Sequence, residues 1–207
     1  MIVSHHNKFI YSKAIKVYST STQLAFSKHC REGDIVTTIY PTHPNYTPRV
    51  LSSYRPDSHE SLSNIKKYLG SQTFNSYSKI VSIRNTWDRL VTLYMFLKLQ
   101  NMVPSHINSF SKFISNHDTE KFGLERYCCI DGELVCDFII DSENTFKDVN
   151  HIENTLGLPI TTDHIRLKEE TFRTSHYSNF YTESTADQVY NLYRSEIDRF
   201  NFEYVGV

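Results

Sequence analysis

Three short runs of β-branched and aromatic residues, each followed by a helical pattern, organise this chain. Lys8-Phe9-Ile10-Tyr11-Ser12 reads as a buried strand, and after a polar loop Thr22-Gln23-Leu24-Ala25-Phe26-Ser27-Lys28 reads as a helix. Ser78-Lys79-Ile80-Val81-Ser82-Ile83-Arg84 repeats the strand pattern. Asn85-Thr86-Trp87-Asp88 then supplies a turn and cap, and a long helix is predicted over residues 89–99. A third core strand is predicted at Asp137-Phe138-Ile139-Ile140, with helices over 146–156 and 185–200, the last striped by Val189, Leu192, Tyr193, Ile197 and Phe200. Between the first two strands, a helix over 58–69 begins at Ser58 as cap, has Glu60 in its first turn and closes at Gly70. Pro41, Pro44, Pro48 and Pro56 make residues 40–56 an irregular surface segment. Strands separated by helices imply an α/β fold, with a mainly parallel central sheet flanked by helices and a helical C-terminal half.

At 207 residues the chain suits one domain, 1–207. Its 22 Lys plus Arg against 23 Asp plus Glu leave a formal charge of −1, which removes the electrostatic argument for a nucleic-acid partner or a polybasic membrane surface. Cys30, Cys128, Cys129 and Cys136 show neither paired CxxC spacing nor a His partner pattern, so no metal and no disulfide framework is expected. No run approaches the length of a membrane span, and the start of the chain turns polar after Val3, so a cytoplasmic protein with reduced thiols is expected. Only six glycines occur, in neither the GxxxxGK[ST] nor the GxGxxG arrangement, so Walker-type kinases and Rossmann dehydrogenases lose their main support.

Candidate chemistry sits where strands hand over to helices. The first loop carries Lys16 with Ser19, Thr20 and Ser21 just before a helix, where unpaired backbone N–H groups and the positive end of the dipole suit a phosphate. Helix capping and a solvated lysine are the plainer explanation of the same residues. Arg84 ends the second strand and Thr92 lies eight residues on; in a parallel sheet ligands gather outside the carboxyl ends of strands, and a forked guanidinium suits a phosphate monoester. For Arg84 the competing role is an ion pair with Asp88 or Glu143, and for Thr92 a helix back-bond or core packing.

The order and context of these segments resemble the PAPS-dependent sulfotransferases, in particular the Golgi-type carbohydrate sulfotransferases and their bacterial relatives. Ile15-Lys16-Val17-Tyr18-Ser19-Thr20-Ser21 is similar to that family's 5′-phosphosulfate loop, commonly Pro-Lys-Thr-Ala-(Gly or Ser)-Thr-Ser. Ile83-Arg84-Asn85-Thr86-Trp87-Asp88-Arg89-Leu90-Val91-Thr92-Leu93-Tyr94 is similar to its 3′-phosphate motif, commonly Val-Arg-Asn-Pro-Trp-Asp-Arg-Leu-Val-Ser-Leu-Tyr. His59 stands where the family has a helix-leading histidine. Asp137-Phe138-Ile139-Ile140-Asp141-Ser142-Glu143-Asn144 resembles its later strand, and the segments from Tyr177 and up to Tyr204 resemble its close. The chain departs from the pattern at Ile15, Val17, Tyr18, Thr86 and Thr92.

The resemblance implies a P-loop-like three-layer fold and a metal-independent transfer from PAPS to an acceptor hydroxyl, leaving adenosine 3′,5′-bisphosphate. It assigns Lys16, Val17, Tyr18, Ser19, Thr20 and Ser21 to the 5′-phosphosulfate, Arg84 and Thr92 to the 3′-phosphate, and Arg173, with Lys168, to a late loop over the nucleotide. Lys16 and His59 become the catalytic residues, His59 as the base for the acceptor proton, with His43 a weaker rival. A carbohydrate hydroxyl is the default acceptor, with Tyr40, Tyr46 and Tyr54 as faces on which a sugar would stack. Two other readings stand beside this one: an ATP-dependent phosphotransferase, and a nucleotide- or glycan-binding relative without activity.

Overall fold

The computed structural model describes residues 1–39, 47–49, 54–116, 118–160 and 175–206, with the backbone alone at 119 and 120. The chain opens with β1 (Ile2–Ser4), β2 (Phe9–Ser12), α1 (Ser19–Ser27) and β3 (Ile35–Val36), followed by α2 (Leu62–Leu69), α3 (Ser71–Ser76), β4 (Ser78–Ile83) and α4 (Thr86–Leu99). Then come α5 (Phe110–Asn116), α6 (Thr119–Phe122), α7 (Glu125–Cys128), β5 (Cys129–Ile130), β6 (Glu133–Leu134), β7 (Phe138–Asp141) and α8 (Thr145–Leu156). A 3-10 helix (Tyr177–Phe180) and α9 (Glu183–Phe200) complete the elements among the described residues. They divide into two compact units, one formed by Met1–Ile83 with Leu124–Lys168 and the other by Arg84–Gly123 with Glu169–Val207.

The first unit is built on a five-stranded sheet in the order β3-β1-β2-β4-β7. β2 pairs in parallel with β4, Tyr11 opposite Ile80 and Ser12 opposite Val81, and β4 pairs in parallel with β7, Ile83 opposite Asp141. β1 runs antiparallel to both of its neighbours, so four of the five strands point the same way. The expected mainly parallel α/β sheet is therefore present. Alternation along β2 sorts its side chains. Phe9 and Tyr11 join Ala25 and Phe26 of α1 and Val149 and Ile152 of α8 on one face, while Ile10 joins Leu62 and Ile65 of α2 and Phe74 of α3 on the other. Helices thus cover both faces, as a sheet with two apolar sides requires.

Several boundaries differ from expectation, for local reasons. Lys8 takes a left-handed φ of 53° in the turn between β1 and β2, which keeps it out of the strand. α2 starts after Ser61, whose hydroxyl accepts from the Asn64 amide, and not after Ser58; Glu60 precedes the helix and accepts from the Ser61 amide and the Asn64 side chain. Gly70 does end α2, at φ 76° and ψ 152°, a conformation reserved in practice for glycine, and α3 follows directly. The strands β1 and β3 have three and two residues, too few to show a periodicity.

The second unit is helical. Within the expected Asn85–Asp88 turn, Asn85 caps α4, its carboxamide oxygen accepting from the Trp87 and Asp88 amides, so the helix begins three residues earlier than the pattern suggests. Within the helix, the fully buried Arg89 pairs with the buried Glu196 of α9 at 2.5 Å. Glu196 Oε1 also accepts from Thr86 Oγ1 at 2.7 Å, Arg89 donates to the Phe122 carbonyl, and its guanidinium lies 5.6 Å from the Tyr193 ring centroid. Trp87 Nε1 donates to the Ala186 carbonyl at 3.1 Å. α9 breaks its helical geometry at Tyr193, φ −120°, where the hydrophobic stripe runs on without interruption.

Removing one partner of a buried ion pair leaves the other charge without compensation. Glu196→Ala is expected to lower unfolding stability by about 3–5 kcal/mol in urea titrations, and Arg89→Met combined with Glu196→Leu by clearly less. A loss below about 1 kcal/mol for Glu196→Ala would place the pair among the energetically neutral ones.

Candidate functional site

The strand order sets the first part of the site. From β2 the chain crosses through α1 to β3 on one side of the sheet, whereas β4 lies on the other side of β2. Connections that diverge from neighbouring parallel strands leave an opening beyond their carboxyl ends. Ser12 ends β2 opposite Val81, and β4 runs on to Ile83, so the loop after β2 and the chain entering Arg84 leave from the same edge of the sheet.

The loop from Lys13 to Tyr18 holds two non-glycine residues in the left-handed region, Lys16 at φ 61° and Tyr18 at φ 57°. Val17 between them is buried and does not share that conformation. Alternating handedness turns successive backbone N–H groups toward one concavity, a geometry suited to anions. Tyr18 is also the residue before α1 and provides no side-chain cap, and the first turn of α1 carries no acidic residue. The expected Lys16 loop therefore leads into the head of a helix whose dipole, like the lysine, favours negative charge.

Ser19, Thr20 and Ser21 belong to the helix, which starts three residues earlier than its apolar pattern. Their hydroxyls are not equivalent. Ser19 Oγ donates to the Ala14 carbonyl at 2.8 Å, closing the loop on itself, so it offers an approaching anion its amide but not its hydroxyl hydrogen. Ser21 is buried and Thr20 is half-buried.

His59 lies two residues ahead of the α2 cap and not in the helix. Its Nδ1 is 2.8 Å from the carbonyl oxygen of Lys13, in the loop after β2. A carbonyl only accepts, so Nδ1 carries the hydrogen and Nε2 keeps the lone pair. Desolvation, followed by the positive charge of the buried Lys13, pushes the imidazole down to about 4. His59 is thus joined to the Lys16 loop through Lys13, and it is neutral at neutral pH.

Arg84 is buried, and Asp88 one turn on accepts from its Nε at 2.7 Å and pairs with a terminal nitrogen at 2.5 Å. The ion pair anticipated as Arg84's competing role is therefore made. Thr92 is buried inside α4. Tyr54, one of the three tyrosines offered to a sugar, instead stacks on Tyr68 with centroids 3.6 Å apart and planes 6° apart. Tyr40, His43, Tyr46, Lys168 and Arg173 lie outside the described residues.

The groups that fix the loop lie outside the Lys16–Ser21 motif. The Lys13 carbonyl that orients His59 is backbone and leaves no trace in residue type. Tyr11 shares the strand face of Phe9 and reads as core; its hydroxyl lies 2.8 Å from Ser82 Oγ and 3.4 Å from the Ser19 carbonyl. Strand alternation places Tyr11 on the α1 face, and that was the available signal.

No family model matches the chain, and neither does a curated protein or a solved structure. Among the described residues, no group of three or more His, Cys, Asp or Glu side chains is arranged to hold a metal ion, and no helix is long and apolar enough to cross a membrane.

The lowered pKa of His59 has a consequence for stability. In the unfolded chain the imidazole binds a proton near its ordinary value of 6.5, whereas in the folded chain it does so only near 4. Between these values the unfolded state binds more protons, so the neutral His59 stabilises the fold fully above pH 6.5, and that contribution is lost as pH falls toward 4. Unfolding titrations across this window are expected to show the stability difference between wild type and His59→Gln shrinking as pH falls. A constant difference would contradict the desolvated setting of this half-buried ring.

Proposed function

We propose that the protein is a sulfotransferase with a P-loop-like donor loop, moving a sulfuryl group from PAPS to an acceptor hydroxyl, a carbohydrate hydroxyl being the favoured class. The observation that carries this reading is the turn at residues 16–21. Two left-handed residues flank Val17 at an uncapped, acid-free helix start, on the segment whose residues resemble the family's 5′-phosphosulfate loop. The second resembling segment follows β4, the parallel neighbour of β2.

PAPS supplies an activated sulfuryl group and a bisphosphate as its leaving part. Lys16 and the amides of residues 17–21 bind the 5′-phosphosulfate, and the helix dipole favours the negative charge that grows there during transfer. Arg84, its guanidinium oriented by Asp88, and Thr92 bind the 3′-phosphate. His59, held through Nδ1 by the Lys13 carbonyl, takes the acceptor's hydroxyl proton on Nε2. Arg173 covers the nucleotide in the same reading. These residues perform the reaction by positioning and electrostatics, without a covalent enzyme intermediate.

A second reading, a nucleotide-binding relative without transfer, draws on one observation. An imidazole held near 4 is a weak base for an alcohol.

Calorimetric titration separates donors. Adenosine 3′,5′-bisphosphate is expected to bind and ADP to bind at least about tenfold more weakly, as loss of a charge-assisted phosphate contact implies. Lys16→Ala and Arg84→Lys are each expected to weaken bisphosphate binding by about tenfold or more while thermal unfolding stays cooperative. Labelled-sulfate transfer from PAPS to a panel of hydroxylated acceptors then distinguishes enzyme from binder, with His59→Ala binding normally and turning over slowly. Equal affinity for ADP, or undiminished affinity in Lys16→Ala, removes the assignment.

A further inference from the structure

We infer that the Tyr11 hydroxyl is a positioning group for the loop after β2: anchored on Ser82 of β4, it holds the left-handed Tyr18 in a turn that has no glycine to adopt that conformation unaided. The inference rests on the proposed role of the 16–21 turn only for its functional consequence; the conformational claim stands on geometry within the first unit.

Tyr11 is fully buried, and its ring stacks on Phe26 of α1 at 5.6 Å between centroids and 12° between planes. That stacking fixes the direction of the hydroxyl. Oη has a single hydrogen, which goes to the Ser19 carbonyl at 3.4 Å, and it accepts from Ser82 Oγ at 2.8 Å. Burial raises the phenol far above its ordinary value, so it remains a neutral hydroxyl. Thr22 continues the chain of contacts: its amide and its Oγ1 both donate to the Tyr18 carbonyl at 3.3 Å. A hydrogen-bonded path therefore runs from the carboxyl end of β4, through Tyr11 and the first turn of α1, to the peptide of Tyr18.

The path answers a steric requirement. A tyrosine at φ 57° and ψ 18° sits in a region that L side chains with a Cβ disfavour. Such a conformation persists where the surroundings over-determine it. Ser19 Oγ on the Ala14 carbonyl closes the loop from one side, and Tyr11 with Thr22 holds it from the other. The resemblance leads one to expect alanine and glycine or serine at positions 18 and 19; with Tyr18 present, the hydroxyl beneath the turn substitutes for small-residue freedom.

The test compares amide hydrogen exchange in wild type, Tyr11→Phe, Ser82→Ala, Ser82→Thr and Tyr11→Phe combined with Tyr18→Gly. Tyr11→Phe and Ser82→Ala are expected to speed exchange of the amides at 17–21 by about fivefold or more, the loss of one net hydrogen bond, with the β2 and β4 amides unchanged. Ser82→Thr, which keeps the hydroxyl, is expected to behave as wild type. Adding Tyr18→Gly to Tyr11→Phe is expected to restore most of the protection, because glycine takes the left-handed conformation without support. Packing alone as the role of Tyr11 is not rescued at position 18, so a double variant that exchanges like Tyr11→Phe overturns the inference, as does an unchanged loop in Tyr11→Phe. Bisphosphate affinity is expected to fall in Tyr11→Phe by a similar factor. Failure of wild type to bind the bisphosphate would end the donor reading, while the exchange data would still decide whether Tyr11 positions the loop.

Discussion

Parallel pairing of β2 with β4 obliges both strands to release the chain at the same edge of the sheet, and the placement of the Lys16 loop follows from that obligation. Antiparallel neighbours would send the two outgoing chains to opposite edges. The pairing is itself a consequence of burial. Phe9, Ile10 and Tyr11 carry apolar bulk to both faces, which favours a strand inside a helix-covered sheet over one at its margin. The polar residue that ends β2, Ser12, sits where the strand gives way to the Lys16 loop.

The loop itself sets two demands against each other. Turning backbone N–H groups toward an anion requires left-handed residues, and left-handed residues are strained when they carry a Cβ, by about 1–2 kcal/mol each. Elsewhere such turns use glycine. Here the turn keeps Lys16 and Tyr18, and it is braced by the hydrogen bonds that Ser19 donates to the Ala14 carbonyl, Thr22 to the Tyr18 carbonyl and Tyr11 to the Ser19 carbonyl. A loop held in this way presents its amides in one arrangement, which favours binding through reduced ordering on association. His59 is tied to the same segment through the Lys13 carbonyl, so the candidate base and the candidate anion site share one support.

Much of the fold was legible because strands β2, β4 and β7 are long enough to show β-branched and aromatic runs, and because α8 and α9 carry clear stripes. β1 and β3 were not, since two or three residues cannot display a period. Helix starts differ from the pattern where the cap is a polar residue among other polar residues: Ser61 caps α2 in place of Ser58, and Asn85 caps α4, which starts three residues ahead of Arg89. In the site, the types and order of Lys16, Ser19, Thr20, Ser21 and Arg84 were readable. Their conformations were not. Nothing in the letters of Lys16 and Tyr18 announces left-handed backbone, and the Ser19 hydroxyl looks like a ligand until its bond to Ala14 is seen. The buried Arg89–Glu196 pair spans 107 positions in sequence, beyond the reach of any local pattern.

A crystal structure of the protein with adenosine 3′,5′-bisphosphate measures the central claim most directly. The 5′-phosphate is expected on the amides of residues 17–21, at about 3 Å, with Lys16 and Tyr18 still left-handed around it. A nucleotide seated away from this turn, or a turn that abandons its left-handed residues to admit the phosphate, would contradict it.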